Sequence, residues 1–163
     1  MRLYFHCLFA VALAGLVLPS SSAETKEKAE FQLSKDEQAI VDLTNAARAK
    51  DKLEPLKVNP TLCEVARAHA ANMAKKEKME HVLDGKNPAQ RVTAAGYRYR
   101  RMAENIAYSN QLGPKRIVAG WMDSPMHREN ILNERFREIG VGIARSKDGD
   151  VYYTQVFGTQ LRR

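Results

Sequence analysis

Two histidines and a glutamate carry most of the chemistry this sequence can do. His127 lies in Ser124-Pro-Met-His-Arg-Glu-Asn-Ile-Leu132, where Ser-Pro reads as a helix start with Ser124 as N-cap and Pro125 at the first helical position. An imidazole in that first turn sits among backbone N–H groups with no helical partner, whose positive potential disfavours the charged ring. It can act as a neutral ligand or base, or simply pack the helix start. His69 shares one helical face with Leu62, Val65, Ala66 and Met73. An inward histidine finds a hydrogen bond, binds something, or costs its desolvation energy. Glu104 sits in the apolar segment Ala103-Glu-Asn-Ile-Ala107. Two neutral imidazoles can hold a divalent ion when water or a carboxylate completes the shell. Glu104 can fix a ring tautomer or act as a base on water, and can equally tie a loop down through backbone N–H groups.

Ser124 is a poor nucleophile candidate, because its capping role accounts for it. Ser109 is matched to a base by no pattern in the sequence. There is no His-Glu-x-x-His, Cys-x-x-Cys, Gly-x-Ser-x-Gly or phosphate-cradling glycine loop, so the usual routes to a zinc protease, redox protein, serine hydrolase or nucleotide enzyme lack support.

The elements that must position these residues follow from pattern. Ser34-Lys-Asp-Glu37 is a capping box, and Ile40, Leu43, Thr44 and Ala47 follow at helical spacing, which predicts a helix over 35–50. Asn59-Pro60 opens a second helix, over 60–78, that carries His69. His81 follows it, ahead of an Asp84-Gly85 turn, and Asn87-Pro88 opens a short third helix that stops at Gly96. Residues 97–102 read as a loop or irregular strand, and 103–107 as extended. Gly113-Pro114 starts a helix with Ile117, Val118, Trp121 and Met122 on one face, which runs into the stretch at Ser124. The end is a hairpin. Ile139, Val141 and Ile143 alternate with Gly140, Gly142 and Ala144, Asp148-Gly149 is the turn, and 151–158 is the return strand. The bare glycine face lets a helix or another backbone approach closely. Helices first and the clearest strands last predict an α+β chain whose antiparallel sheet packs against helices.

Residues 1–23 are set aside from the fold. Arg2, an apolar run over 8–18 and a small-residue exit at 19–23 read as a secretory signal with cleavage after Ala23. The run is too short to span a bilayer, and Cys7 lies too early in it for a lipid-anchored start. Residues 24–33 are charged and read as a tether, leaving 34–163 as one domain. Beyond the signal, 140 residues remain, with 25 basic against 19 acidic, and Cys63 is the one cysteine left. No internal disulfide is then available, which suits a bacterial envelope protein better than a cysteine-rich extracellular module. A lone thiol is most often a small buried hydrophobe, intermolecular pairing being the alternative. The basic balance favours association with anionic envelope polymers or headgroups. Nucleic acid is disfavoured as a partner, since the basic residues are spread along an exported chain.

Five segments in order carry a family resemblance. They are Leu43-Thr-Asn-Ala-Ala-Arg48, Ala66-Arg-Ala-His-Ala70, Ala103-Glu-Asn-Ile-Ala107, Trp121-x-x-Ser-Pro-x-His-Arg128 and Tyr153-Thr-Gln-Val-Phe157. Together they resemble a CAP/SCP domain (cysteine-rich secretory, antigen 5 and pathogenesis-related 1 proteins) of the bacterial branch. The resemblance implies a three-layer α–β–α sandwich with a central antiparallel sheet and a cleft. In the family, that cleft holds two histidines and two glutamates, and the histidines can bind a divalent metal.

By this resemblance His69 and Glu104 match the first histidine and one glutamate. Asn105, Tyr153 and Gln155 join the cleft through their motifs. Tyr152 stands where the family's second histidine is usual, and Ser124 where its other glutamate is, with Asp123 one position early. His127 is assigned as the replacement ligand, so His69 and His127 form the expected metal pair, zinc first, with Glu104 as candidate base. Met126 replaces a usual glycine and is expected to narrow or shield the cleft. The functional expectation is an exported, monomeric, non-enzymatic binding domain for a lipid or cell-envelope component, secreted or periplasmic and not transmembrane. The alternatives are a metal-dependent hydrolase, most simply a peptidase, and an envelope protein-interaction module.

Overall fold

The computed structural model describes residues 30–110 and 113–161. The expected signal and most of the tether lie outside the described residues. Phe31–Arg163 form one compact unit. Its elements are α1 (Lys35–Lys50), β1 (Lys57–Val58), α2 (Pro60–Lys76), α3 (Pro88–Ala94), β2 (Tyr99–Ser109), α4 (Pro114–Asp123), α5 (Pro125–Leu132), β3 (Glu138–Arg145) and β4 (Val151–Gln160). None of the described helices is long and apolar enough to cross a membrane.

Local chemistry sets most of these boundaries. At α1 the Ser34 hydroxyl accepts from the Glu37 N–H while the Glu37 carboxylate accepts from the Ser34 N–H, so two orphan donors are satisfied reciprocally. Asn87 and Gln90 do the same for α3. Asn59 caps α2, with Pro60 at its first position. That helix stops two residues earlier than its sequence suggests. Glu77 takes a left-handed conformation at φ 53°, with no glycine to announce it, and its N–H bonds back to the Met73 carbonyl.

The sheet order is β1-β3-β4-β2. β2, β4 and β3 are antiparallel, and the two-residue β1 runs parallel to β3, so the sheet is mixed at that margin. Residues 97–102 divide: β2 begins at Tyr99, and its register slips once, between Tyr99 and Arg101.

Strand alternation sorts the two faces. On β4, Val151, Tyr153 and Phe157 join the core made with Ile40 and Val41 of α1, Ile117, Val118 and Trp121 of α4, and Ile131 of α5. Tyr152 and Val156 face the other way, onto Leu62, Val65, Ala66 and Met73 of α2. Helices therefore cover both faces, giving the three-layer α–β–α sandwich. The bare face of β3 receives α2: a Cβ on Gly140 would stand 2.1 Å from the Leu62 carbonyl carbon, and one on Gly142 2.1 Å from the Arg67 nitrogen.

Two long side chains tie elements together, Arg48 within the α1 layer and Arg67 between α2 and α1. Fully buried Arg48 donates from Nη1 to the carbonyls of Ile131 and Asn133, at 2.7 and 2.9 Å, and so closes the C-terminal end of α5. Arg67 pairs with Glu37, donates to the Gln32 carbonyl and lies over the Phe31 ring. Phe31 and Gln32, assigned to the tether by their sequence, thus rest on the folded unit. Cys63 is a buried free thiol, and burial pushes its pKa up.

Candidate functional site

Glu104 is the centre of a charged cluster. β2 presents it on the α2 side of the sheet, and its side chain is only 2% exposed. Arg91 of α3 donates from Nη2 to both carboxylate oxygens, at 3.0 Å to Oε1 and 2.7 Å to Oε2. His81 donates from Nδ1 to Oε1 at 2.8 Å. His69 Nε2 stands 3.8 Å from the same oxygen, too far for a hydrogen bond.

The segment between α2 and α3 positions His81. Leu83 and Lys86 bridge across Asp84 and Gly85, both at positive φ, as a two-residue primed turn requires. Arg91 Nη1 then donates to the carbonyls of His81 and Lys86, at 2.9 and 2.8 Å. One guanidinium therefore fastens the segment and neutralises the buried carboxylate together.

His69 is fully buried in α2, and neither ring nitrogen has a hydrogen bond of good geometry. Burial lowers its pKa, outweighing the attraction of Glu104 and a backbone contact with Glu80, and the charges of Arg91 and His81 lower it further. The ring is held neutral. His127 is half-buried in α5, and its pKa is also lowered, by burial first and then by His81. The charge of His81 thus acts on both histidines that the sequence singles out.

Ser124 occupies the N-cap position of α5, but its hydroxyl makes no capping bond. It pairs instead with His127 Nδ1 at 2.9 Å, so the side-chain cap read from the sequence is replaced by an imidazole partner. Only the Ser124 carbonyl takes part in the helix start, accepting from the Arg128 N–H. Met126 is 77% exposed, an apolar surface beside His127 rather than a plug.

The other motif residues lie elsewhere. Asn105 points to the opposite face from Glu104, as its neighbour in a strand must. It is fully buried and donates to the His127 carbonyl and to Gln155 Oε1, while Asn130 donates to its Oδ1. Gln155, also fully buried, donates to the Thr44 hydroxyl at 2.8 Å. This chain of amides joins α1, β4, β2 and α5, and it supports α5 from beneath. Tyr153 belongs to the core on the α1 side. The structure therefore brings His69 and Glu104 together with His81 and Arg91, and keeps Asn105, Tyr153 and Gln155 behind the sheet.

His81 and Arg91 were missed in the sequence. The available signal is that His81 is one of just three histidines beyond residue 23 and precedes an Asp-Gly turn that doubles the chain back. Beside the cluster, a cleft of about 430 Å³ opens between α2 and α3. Val65, Ala68, Leu83 and Ala94 give it apolar walls, and His69 and Arg91 also line it.

The model of the CAP cysteine-rich secretory protein family matches residues 41–157. The chain belongs to that family. It is 36% identical over 140 residues to the Bacillus subtilis protein YkwD, covering 85% of this chain and 53% of YkwD. It is 33% identical over 143 residues to the B. subtilis membrane protein YlbC, covering 87% of this chain and 39% of YlbC. The chain thus spans about half or less of these relatives. Among solved structures, the fold superposes on an outer surface protein of Borrelia burgdorferi with a TM-score of 0.74 at 24% identity, over 80% of this chain and 97% of that one. An extracellular SCP-domain protein of Bacillus anthracis matches at 0.69 and 29% identity, over 77% of this chain and 40% of that one.

The chemistry of the cluster bears on a divalent ion. His69 fits one, being buried with its pKa lowered and with neither ring nitrogen in a hydrogen bond of good geometry. His127 keeps one ring nitrogen uncommitted to Ser124, whose hydroxyl engages Nδ1. Glu104 is already committed to Arg91 and His81. Among the described residues, no three His, Cys, Asp or Glu groups are placed to share an ion as they stand.

Proposed function

We propose that this chain is an exported, non-enzymatic binding domain whose cleft takes a lipid or another cell-envelope component. The observation that supports this reading is the cleft between α2 and α3. Its volume of about 430 Å³ falls in the range of small-ligand sites, its walls are largely apolar, and Arg91 lines it beside the buried His69. An apolar body can shed water against Val65, Ala68 and Leu83 while its polar end meets Arg91. The extracellular and outer-surface relatives agree with export, as does the reading of residues 1–23 as a signal.

The test is to incubate the purified domain with a lipid extract and identify what co-purifies by mass spectrometry. Ala68→Trp, which fills the cleft, is the control. Species retained by wild type and lost in Ala68→Trp support the reading; equal retention by both counts against it.

A second reading is favoured by His69 alone: the cluster binds a divalent ion through His69 and His127. Such an ion would supply Lewis acidity to a bound oxygen. Calorimetric titration of zinc into wild type and His69→Ala decides it. Loss of binding in the variant supports the site, and identical isotherms remove it.

A further inference from the structure

A carboxylate as buried as Glu104 needs a compensating charge. Metal centres in proteins supply that charge with the ion itself. Here Arg91 supplies it, with Nη2 on both Glu104 oxygens and Nη1 on two backbone carbonyls. The Arg91 side chain is only 12% exposed, and a guanidinium keeps its charge at any physiological pH. A second cation entering beside His69 must therefore approach a fixed positive charge, and it finds the nearest carboxylate already occupied. His81, on the remaining lone pairs of Oε1, closes the same oxygen from the other side.

We propose that Arg91 is a built-in cation that holds Glu104 in the place of a divalent ion and so keeps the histidine cluster weak toward metals. The proposal rests on the second reading above, that the cluster accepts a divalent ion at all. It assigns a role to α3, which otherwise only flanks the cleft. The helix delivers a permanent charge to a buried carboxylate, and selectivity against metals follows from that pairing. Removing the charge frees Glu104 to become a donor beside His69, whose Nε2 stands 3.8 Å from its Oε1.

The experiment is a zinc titration of the full chain as wild type, Arg91→Gln, Arg91→Lys and the double variant Arg91→Gln/Glu104→Gln. Arg91→Gln is expected to bind zinc at least about tenfold more tightly, a gain of about 1.4 kcal/mol. Arg91→Lys keeps the charge and is expected to stay within about threefold of wild type on the same scale. In the double variant the gain is expected to vanish, because the freed carboxylate is what produces it. An Arg91→Gln affinity no tighter than wild type overturns the proposal, and so does a gain that survives in the double variant.

If wild type binds zinc and Arg91→Gln binds no better, the proposal fails while the metal reading stands. If neither binds, both fail. Should Arg91→Gln be too unstable to titrate, the zinc-induced rise in its melting temperature reads the same affinity, since an ion that binds only the folded state stabilises it. A variant that zinc stabilises no more than wild type, or that stays unfolded in zinc, also overturns the proposal.

Discussion

At the scale of single residues, motif membership and position in space diverge. Glu104 and Asn105 are adjacent letters of one motif, yet a strand turns successive side chains to opposite faces. Glu104 enters the charged cluster, and Asn105 enters a dry amide chain with Gln155, Thr44 and Asn130. The period-two rule was legible in the sequence and separates these neighbours once the segment is known to be a strand. The pairing of Arg91 and His81 with Glu104 was not legible, because it joins residues 13 and 23 positions apart through a turn and a short helix. No spacing rule covers such contacts. The amide chain makes a sharp prediction. Asn105→Ala leaves Gln155 Oε1, Asn130 and the His127 carbonyl short of partners, and is expected to lower stability by about 1–3 kcal/mol. A denaturant melt measures it, and a loss under about 0.5 kcal/mol, the size of an ordinary surface substitution, contradicts the buried network.

At the scale of elements, helix starts were read well because capping is local chemistry. Ser34 and Glu37, Asn59 and Pro60, and Asn87 and Pro88 each fix a start within a few residues. Ends were read less well: the left-handed Glu77 has no sequence mark. Glycines separate close packing from conformational freedom. Gly140→Ala and Gly142→Ala push a methyl group into the α2 backbone and are expected to cost about 3 kcal/mol or more, at the upper end of overpacking. Gly120→Ala, in α4 with nothing within 4 Å of its would-be Cβ, is expected to stabilise by about 0.5–1 kcal/mol. Thermal melts of the three variants should show opposite signs; equal effects would remove the close α2–β3 contact as the cause.

The α1–α2 junction adds a pH dependence. Burial pushes the Glu37 carboxyl up, but the hydrogen bonds and charge of Arg67, with the Ser34 bonds, outweigh it and hold the pKa below its ordinary value. A depressed folded-state pKa gives stability that is present above the unfolded value, about 4.3, and lost as pH falls through the folded one. Arg67→Met is therefore expected to destabilise at pH 7 and to flatten the stability profile between about pH 5 and 2. Denaturation midpoints across that range check it. A variant profile parallel to wild type assigns Arg67 to packing on Phe31 alone.

For the whole molecule, the family motifs made the sandwich legible, since each of the five segments sits where two layers meet. Leu43-to-Arg48 and Trp121-to-Arg128 fill the α1 side, Ala66-to-Ala70 the α2 side, and the strand motifs lie between them. Charge is a separate, global property. The chain carries a net +7 at pH 7, and residues 24–163 alone a net +6. Such a balance draws the protein toward anionic surfaces without specifying a site. It is expected to sediment with phosphatidylglycerol vesicles at about 50 mM salt and to be released at about 500 mM, where screening shortens the reach of exposed charges. Phosphatidylcholine vesicles should leave it in solution. Ala68→Trp keeps every charge and fills only the cleft, so it should sediment like wild type. Retention that survives high salt, or that falls in Ala68→Trp, assigns the attachment to the cleft instead of to the charge.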